Sequence, residues 1–236
     1  MSVKKLHTNY NTFYYITFTC FQWQNLFEIT GLYDHIYQWF EILVKYGVFN
    51  CGYVVMPNHL HTLVYTSNPE KAINNIMGTG KRFMAYEIVD RLEKIERWDL
   101  LKTMSEAVNP SEKQRNKKHE VFEDSMDCKE IVTENFIRQK LNYIHKNPVS
   151  GKWKLVNHYI DYEYSSARFY DLGEKPQWSL FNYAENNIRV PSIKTFLIEK
   201  LKSARETQRK RASSGENYFF TMKRITKIST IAPAII

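Results

Sequence analysis

Glycine and proline are scarce in this chain, 8 and 7 among 236 residues. So few breakers leave little room for long linkers, and with 43% apolar and 15% aromatic residues most of the sequence can bury enough surface to fold. Cysteine is scarce too. Cys20, Cys51 and Cys128 are odd in number, widely spaced and without a C-x-x-C pair, which excludes a disulfide framework and zinc-finger spacing. They read as thiols in a reducing compartment. No run approaches the roughly 18 apolar residues of a membrane helix, and the two lysines of MSVKKLHTNYNTFYY have no apolar signal core behind them. The expectation is a cytoplasmic protein without a membrane partner.

Positive charge, by contrast, is plentiful and uneven. Of the net +8, a local excess of +7 falls between Lys200 and Lys227, where nine Lys and Arg face only Glu206 and Glu216. A basic appendage on a near-neutral body suits a polyanionic partner; a solubilising tail is the competing reading.

FYYITFTCF is β-branched and aromatic enough for a first strand. LYDHIYQWFEILVKYG follows with helical spacing at Ile36, Phe40 and Leu43, closed by Gly47. VFNCGYVVM and HLHTLVYT form two strands around a Pro57-Asn58 turn. A long helix is expected after Asn68 as cap, with Pro69 at its first position, Glu70 in its first turn and a kink or break at GTG. Residues 99–118 read as a loop, HEVFEDSMDCKEI as a weak strand, and TENFIRQKLNYIHKN as a helix capped by Thr133 and ended by Pro148. The aromatic YEYSSARFYD packs on the body, and a basic helix is expected near Ile193 to Arg211. The order β-α-β-β-α-β-α gives an α+β fold. Its first six elements match a ferredoxin-like or RRM-like antiparallel sheet with helices on one face and the other face open.

VVMPNHLHTLV, residues 54–64, carries the chemistry. On a strand, residues two apart share a face, about 6–7 Å from one another, so His59 and His61 project together while Leu60 turns away. Two neutral imidazoles are half of a divalent-metal site, or two solvated histidines on a sheet. Further ligands or a nucleophile are available on the helix at Tyr143-Ile-His-Lys-Asn147-Pro148, where Tyr143 and Asn147 share a face. The negative end of that helix favours a cation beside Asn147, although the following proline pushes Asn147 away from helical geometry. Tyr143 is one of 16 tyrosines, so residue type alone leaves it between a nucleophile and a packing group. GTGKRF fails as a phosphate loop because Asn75 stands at the first glycine position and Arg82 replaces Ser or Thr. Lys81 and Arg82 are either DNA-phosphate contacts or a solvated basic turn.

Together, MPNHLH, KLNYIHKNPVSGKW and YEYSSARFY resemble the single-tyrosine HUH transposases of bacterial insertion sequences, most of all the REP-associated tyrosine transposases. The resemblance spans about Tyr10 to Asp171. It implies that His59, His61 and Asn147 hold Mg²⁺ or Mn²⁺ and that Tyr143 attacks DNA, leaving a 5′-phosphotyrosine and a free 3′-OH. Asparagine at 147 agrees with the REP-associated branch, whereas others carry glutamine. His145 points away and becomes a structural or DNA-contacting residue. The implied partner is single-stranded DNA with a hairpin, REP-like or from an insertion-sequence end, in a bacterial, nucleoid-associated setting. A homodimer stays open, because a tyrosine helix can complete its own site or a partner's. On this reading residues 1–175 are the catalytic domain, and 176–236 are a basic extension whose Lys200, Lys202, Arg205, Arg209, Lys210 and Arg211 bind DNA. Two competing functions are a non-catalytic RRM-like binder of single strands, favoured by the aromatics and the tail, and a phosphodiesterase that uses water.

Overall fold

β1 (Thr12–Cys20) carries a β-branched or aromatic side chain at every position but its last. Successive residues turn to opposite faces. Tyr14, Ile16, Phe18 and Cys20 therefore enter one apolar cluster, and Phe13 and Tyr15 enter a second. The computed structural model describes residues 6–185. In it β1 pairs antiparallel with β3 (His59–Thr66) and β4 (Phe122–Ile131), and β3 pairs with β2 (Val48–Val55), giving the sheet order β2-β3-β1-β4. Both connections that contain helices skip one strand, as the ferredoxin-like expectation requires.

On the first face lie α1 (Leu26–Ile29), α2 (Tyr33–Lys45) and α3 (Ile73–Lys94), with α4 (Trp98–Glu106) and α5 (Pro110–Lys113) after them. α2 buries Ile36, Trp39, Phe40 and Leu43, and the chain leaves it through Gly47 at φ 67. α3 starts later than expected. The Asn68 side chain accepts from the Glu70 and Lys71 N–H groups at 2.8 and 3.1 Å, so it caps a separate turn and the helix begins at Ile73. Nor does GTG break it: a Cβ at Gly80 would collide with the Trp39 indole, so glycine there serves helix-on-helix contact. The expected loop at 99–118 contains two helices instead. Leu100, Leu101 and Met104 bury one side of α4, and Asn109 caps α5 with Pro110 at its first position. Abundant surface charge hid that narrow apolar stripe.

The second face is not open along its length. α6 (Glu134–Lys146) crosses it, started by the Thr133 hydroxyl accepting from the Phe136 N–H at 3.2 Å, a cap that contributes about 1 kcal/mol. Ile137, Leu141 and Ile144 join Phe13, Tyr15, Val54 and Leu63 in the second cluster. A bulge in β2 puts Gly52 under Leu141, whose Cδ2 would collide with any Cβ there. After α6 the chain runs along β2. Val55 N–H donates to Tyr164 O at 2.8 Å, Ser166 N–H to Tyr53 O at 3.0 Å and Phe181 N–H to Asn50 O at 2.9 Å. Within this stretch lies α7 (Ala167–Leu172), and the Tyr162 hydroxyl donates to Val55 O at 2.8 Å. Past residue 175 the chain still lies on the body, with Trp178 stacked on Tyr37 at 4.5 Å. No described helix is long and apolar enough to cross a membrane.

Candidate active site

The register of β1 with β3 sets Thr17 opposite His61 and Thr19 opposite His59, so all four side chains share the face that α6 crosses. The His59 and His61 rings are 4.7 Å apart between centroids. From α6, Tyr143 reaches 5.3 Å from His61 while remaining 50% exposed. These groups and Asn147 line one open cleft of about 480 Å³.

Asn147 corrects an expectation. It keeps helical φ −54 and ψ −44 although a proline follows. The steric cost is offset because the chain continues as a 3-10 turn through Val149, and Asn147 and Pro148 are buried. Ser150 N–H closes the turn on Asn147 O at 3.1 Å. Asn147 consequently stays beside His59, lining the same cleft.

Both imidazoles are anchored through Nδ1. His59 Nδ1 lies 2.7 Å from Asn58 Oδ1, and the Asn58 amide nitrogen donates to the Trp23 carbonyl at 2.7 Å. Only an NH₂ can make the second bond, so the Asn58 oxygen must face the ring and His59 must carry its proton on Nδ1. Its Nε2 then offers a lone pair. His61 Nδ1 meets the Tyr15 hydroxyl at 2.8 Å and the Thr17 hydroxyl at 2.7 Å, which likewise leaves Nε2 as the outward nitrogen. Burial lowers the His59 pKa to about 4, against an opposing hydrogen bond from Asn147 and with a smaller lowering by Lys152. Burial lowers that of His61 to about 3, helped by His59 and Lys140. Both rings are neutral at pH 7. Two neutral imidazoles held from behind and one amide fit a divalent cation, with the supporting hydrogen bonds such ligands need.

His145 takes the structural option: its Nε2 lies 2.9 Å from the Ser166 hydroxyl, in a buried contact away from the cleft. Lys81 and Arg82 lie on α3, in the layer on the opposite face. The Lys81 ammonium donates to Glu123 O at 2.9 Å and sits over the Phe122 ring, and Arg82 edges a shallow hollow with Asn74 and Thr79. Neither is brought to the histidines. Lys200, Lys202, Arg205, Arg209, Lys210 and Arg211 lie outside the described residues. Glu112, Glu120 and Asp124 cluster elsewhere, with the Lys117 ammonium bonded to both glutamates.

Sequence reasoning missed the groups that support the site. Tyr15, Thr17 and Asn58 hold the rings. Lys140 lies 4.2 Å over the Tyr15 ring and 5.6 Å from that of Tyr143, with its pKa lowered by burial and by Lys129. Alternation in β1 puts Tyr15 and Thr17 on one face, but only the register with β3 sets them against His61. Trp23, Lys152 and Trp153 also line the cleft, and no spacing rule points to them.

No family model matches the chain, and no curated protein does. One solved structure that it resembles is described as the "Structure of the REP associates tyrosine transposase bound to a REP hairpin". The match has 15% identity and a TM-score of 0.48, and covers 77% of this chain and 93% of the other. At that TM-score the likeness carries no weight for individual residues, whose reading rests on their own geometry.

Proposed function

We propose that this protein is a metal-dependent endonuclease and strand transferase for single-stranded DNA, of the single-tyrosine HUH kind that its motifs resemble, acting at hairpin-flanked sites. One observation carries the reading: two histidines from β3, Tyr143 from α6 and Asn147 from the turn at its end converge on a single open cleft. A Mg²⁺ or Mn²⁺ ion held by His59, His61 and Asn147 would supply Lewis-acid polarisation of a nonbridging phosphate oxygen. Nitrogen donors favour Mn²⁺ of the two, since Mg²⁺ keeps to oxygen ligands.

The residues do the rest. Tyr143, half exposed on a rigid helix, presents its hydroxyl to a phosphate without a moving loop. Its oxygen attacks phosphorus; a bond to the phenol oxygen forms and the bond to the 3′ oxygen breaks. The phenolic proton passes to solvent, and the 3′ oxygen takes a proton from it. Lys140 adds positive charge beside an increasingly anionic centre. Because the phosphodiester is exchanged and not hydrolysed, a second 3′-OH can reverse the step without ATP. Residues 1–175 perform this chemistry, and the extension 176–236 adds phosphate contacts.

The test is a denaturing gel with hairpin oligonucleotides labelled at the 3′ end, in Mn²⁺ and in Mg²⁺. A labelled band shifted by the mass of the protein is expected, and Tyr143→Phe should remove it while hairpin affinity stays within about twofold. Cleavage without adduct would mean that water is the nucleophile. Binding without cleavage would leave the RRM-like binder.

A further inference from the structure

Trp23, Lys152 and Trp153 wall the same cleft, yet the chemistry above uses none of them. Trp23 ends a 3-10 turn after β1, and both Gln22 (φ 48) and Trp23 (φ 58) are left-handed, a region that non-glycine residues enter only under constraint. The constraint holds an indole outward, 55% exposed, where burial would ordinarily stabilise it. The turn is pinned at two points. The Trp23 carbonyl accepts from Asn58, which holds His59, and the Gln22 N–H donates to the Glu123 carboxylate at 2.7 Å. The position of the indole is thereby tied to that of the histidine. A second indole, Trp153, comes from the loop after α6. The Trp23 and Trp153 rings lie 5.8 and 5.6 Å from His59, and the Lys152 ammonium stands 5.7 and 5.5 Å from them.

From this arrangement we propose that Trp23, Trp153 and Lys152 form a nucleobase subsite: one unpaired base beside the reacting phosphate stacks on the Trp23 indole, and Lys152 moves from the rings to a backbone phosphate. An exposed π-face fixed by a strained backbone suits a flat ring that has no partner on its own face. A duplexed base has none to offer, because both its faces are already stacked. A cation–π contact at an exposed site is weak enough to be exchanged for a phosphate. Stacking of this kind tolerates any base, so the subsite reads single-strandedness and register without reading sequence. The inference rests on the reading that the cleft receives single-stranded DNA.

The experiment is an abasic scan. Fluorescence anisotropy is measured with single-stranded oligonucleotides that carry one abasic position, walked across the cleaved step, in the Tyr143→Phe full-length chain to prevent turnover. Affinity should drop about tenfold or more at one position. Adding Trp23→Ala should weaken the intact oligonucleotide by a similar factor and abolish sensitivity at that position alone, while Trp23→Phe should restore much of both. Trp23 is exposed, so its loss leaves the core intact. An unchanged scan in Trp23→Ala, or uniform weakening at every position, overturns the subsite. Adduct formation by the wild-type chain is read in parallel. Adduct with an unchanged scan sinks the subsite and leaves the enzyme standing; a position-specific scan without adduct does the reverse, and failure to bind any single strand sinks both.

Discussion

Asn58 Oδ1 holds His59 Nδ1 at 2.7 Å while the nitrogen of the same amide is held by the Trp23 carbonyl. One side chain therefore decides which histidine nitrogen faces the cleft. Removing it with Asn58→Ala should lower Mn²⁺ affinity about ten- to a hundredfold, the usual cost of losing such a support. Asn58→Asp should recover part of it, because a carboxylate still accepts from His59 though it cannot donate to Trp23. Calorimetric Mn²⁺ titration of the three proteins checks the order; equal affinities would detach Asn58 from the metal.

The approach of α6 depends on the missing side chain at residue 52. Gly52→Ala puts a methyl group into Leu141 and should cost about 1–3 kcal/mol, since the buried Leu141 side chain must leave its place or the helix must move. It should also lower adduct yield by shifting Tyr143 from His61. Adding Leu141→Ala makes room and should return part of both, a coupling readable from urea unfolding of the four variants. Strict additivity would show that the two residues do not meet.

Acid should unfold the metal-free protein early. His59, His61 and His145 have pKa values lowered to about 4, 3 and 4, in each case chiefly by burial. The unfolded chain takes up these protons near ~6.5, so between that pH and about 4 it binds more protons than the folded state. Stability is thus complete above about 6.5 and falls with pH through the window, by up to ~1.4 kcal/mol per pH unit for each histidine. Chemical denaturation at pH 7, 6 and 5 measures the slope; a flat profile would mean that these rings charge without leaving the fold. Adding Mn²⁺ should steepen the fall, because ligand nitrogens must be free of protons.

The basic extension is expected to anchor DNA and not to choose it. Each single-strand phosphate contact contributes about 0.7 to the salt slope of log affinity. Ending the chain after Ser192 should flatten that slope and weaken hairpin and non-hairpin ligands alike. An unchanged slope in titrations at several salt concentrations leaves a solvated tail; selective loss of hairpin preference gives it a reading role.

The parts of the site that sit on regular elements could be read in the sequence. Alternation alone puts His59 and His61 together on β3, and the Thr133 cap with Leu141 and Ile144 marks the inward face of α6, which the structure completes with Ile137 where the pattern suggested Phe136. What escaped depends on contacts distant in sequence. Asn147 stays helical before Pro148 because the buried turn beyond it holds it there, and preference statistics for the pre-proline residue do not include that packing. Tyr15 and Thr17 are ordinary strand residues until strand register sets them against His61. Trp23 is positioned by a left-handed turn that has no glycine or Asn-Gly signal. The helix at 98–106 was hidden for a more local reason: three inward apolar residues among polar and charged ones are too few for periodicity to stand out.

The hydrogen bonds along β2 have a consequence for the protein in a crowded cell. Val55, Tyr53 and Asn50 use backbone groups on the outer margin of the sheet to hold residues 164–181 of the same chain. A margin already taken cannot template a strand from another copy, which is the first step of fibrillar growth. At the other margin β4 carries Glu123, Asp127, Lys129 and Glu130 within ten residues, so an incoming identical strand would meet several like charges. The sheet is guarded at one margin by occupied backbone and at the other by charge. Variants that loosen the 164–181 segment should therefore reveal themselves by aggregation on storage before they lose activity.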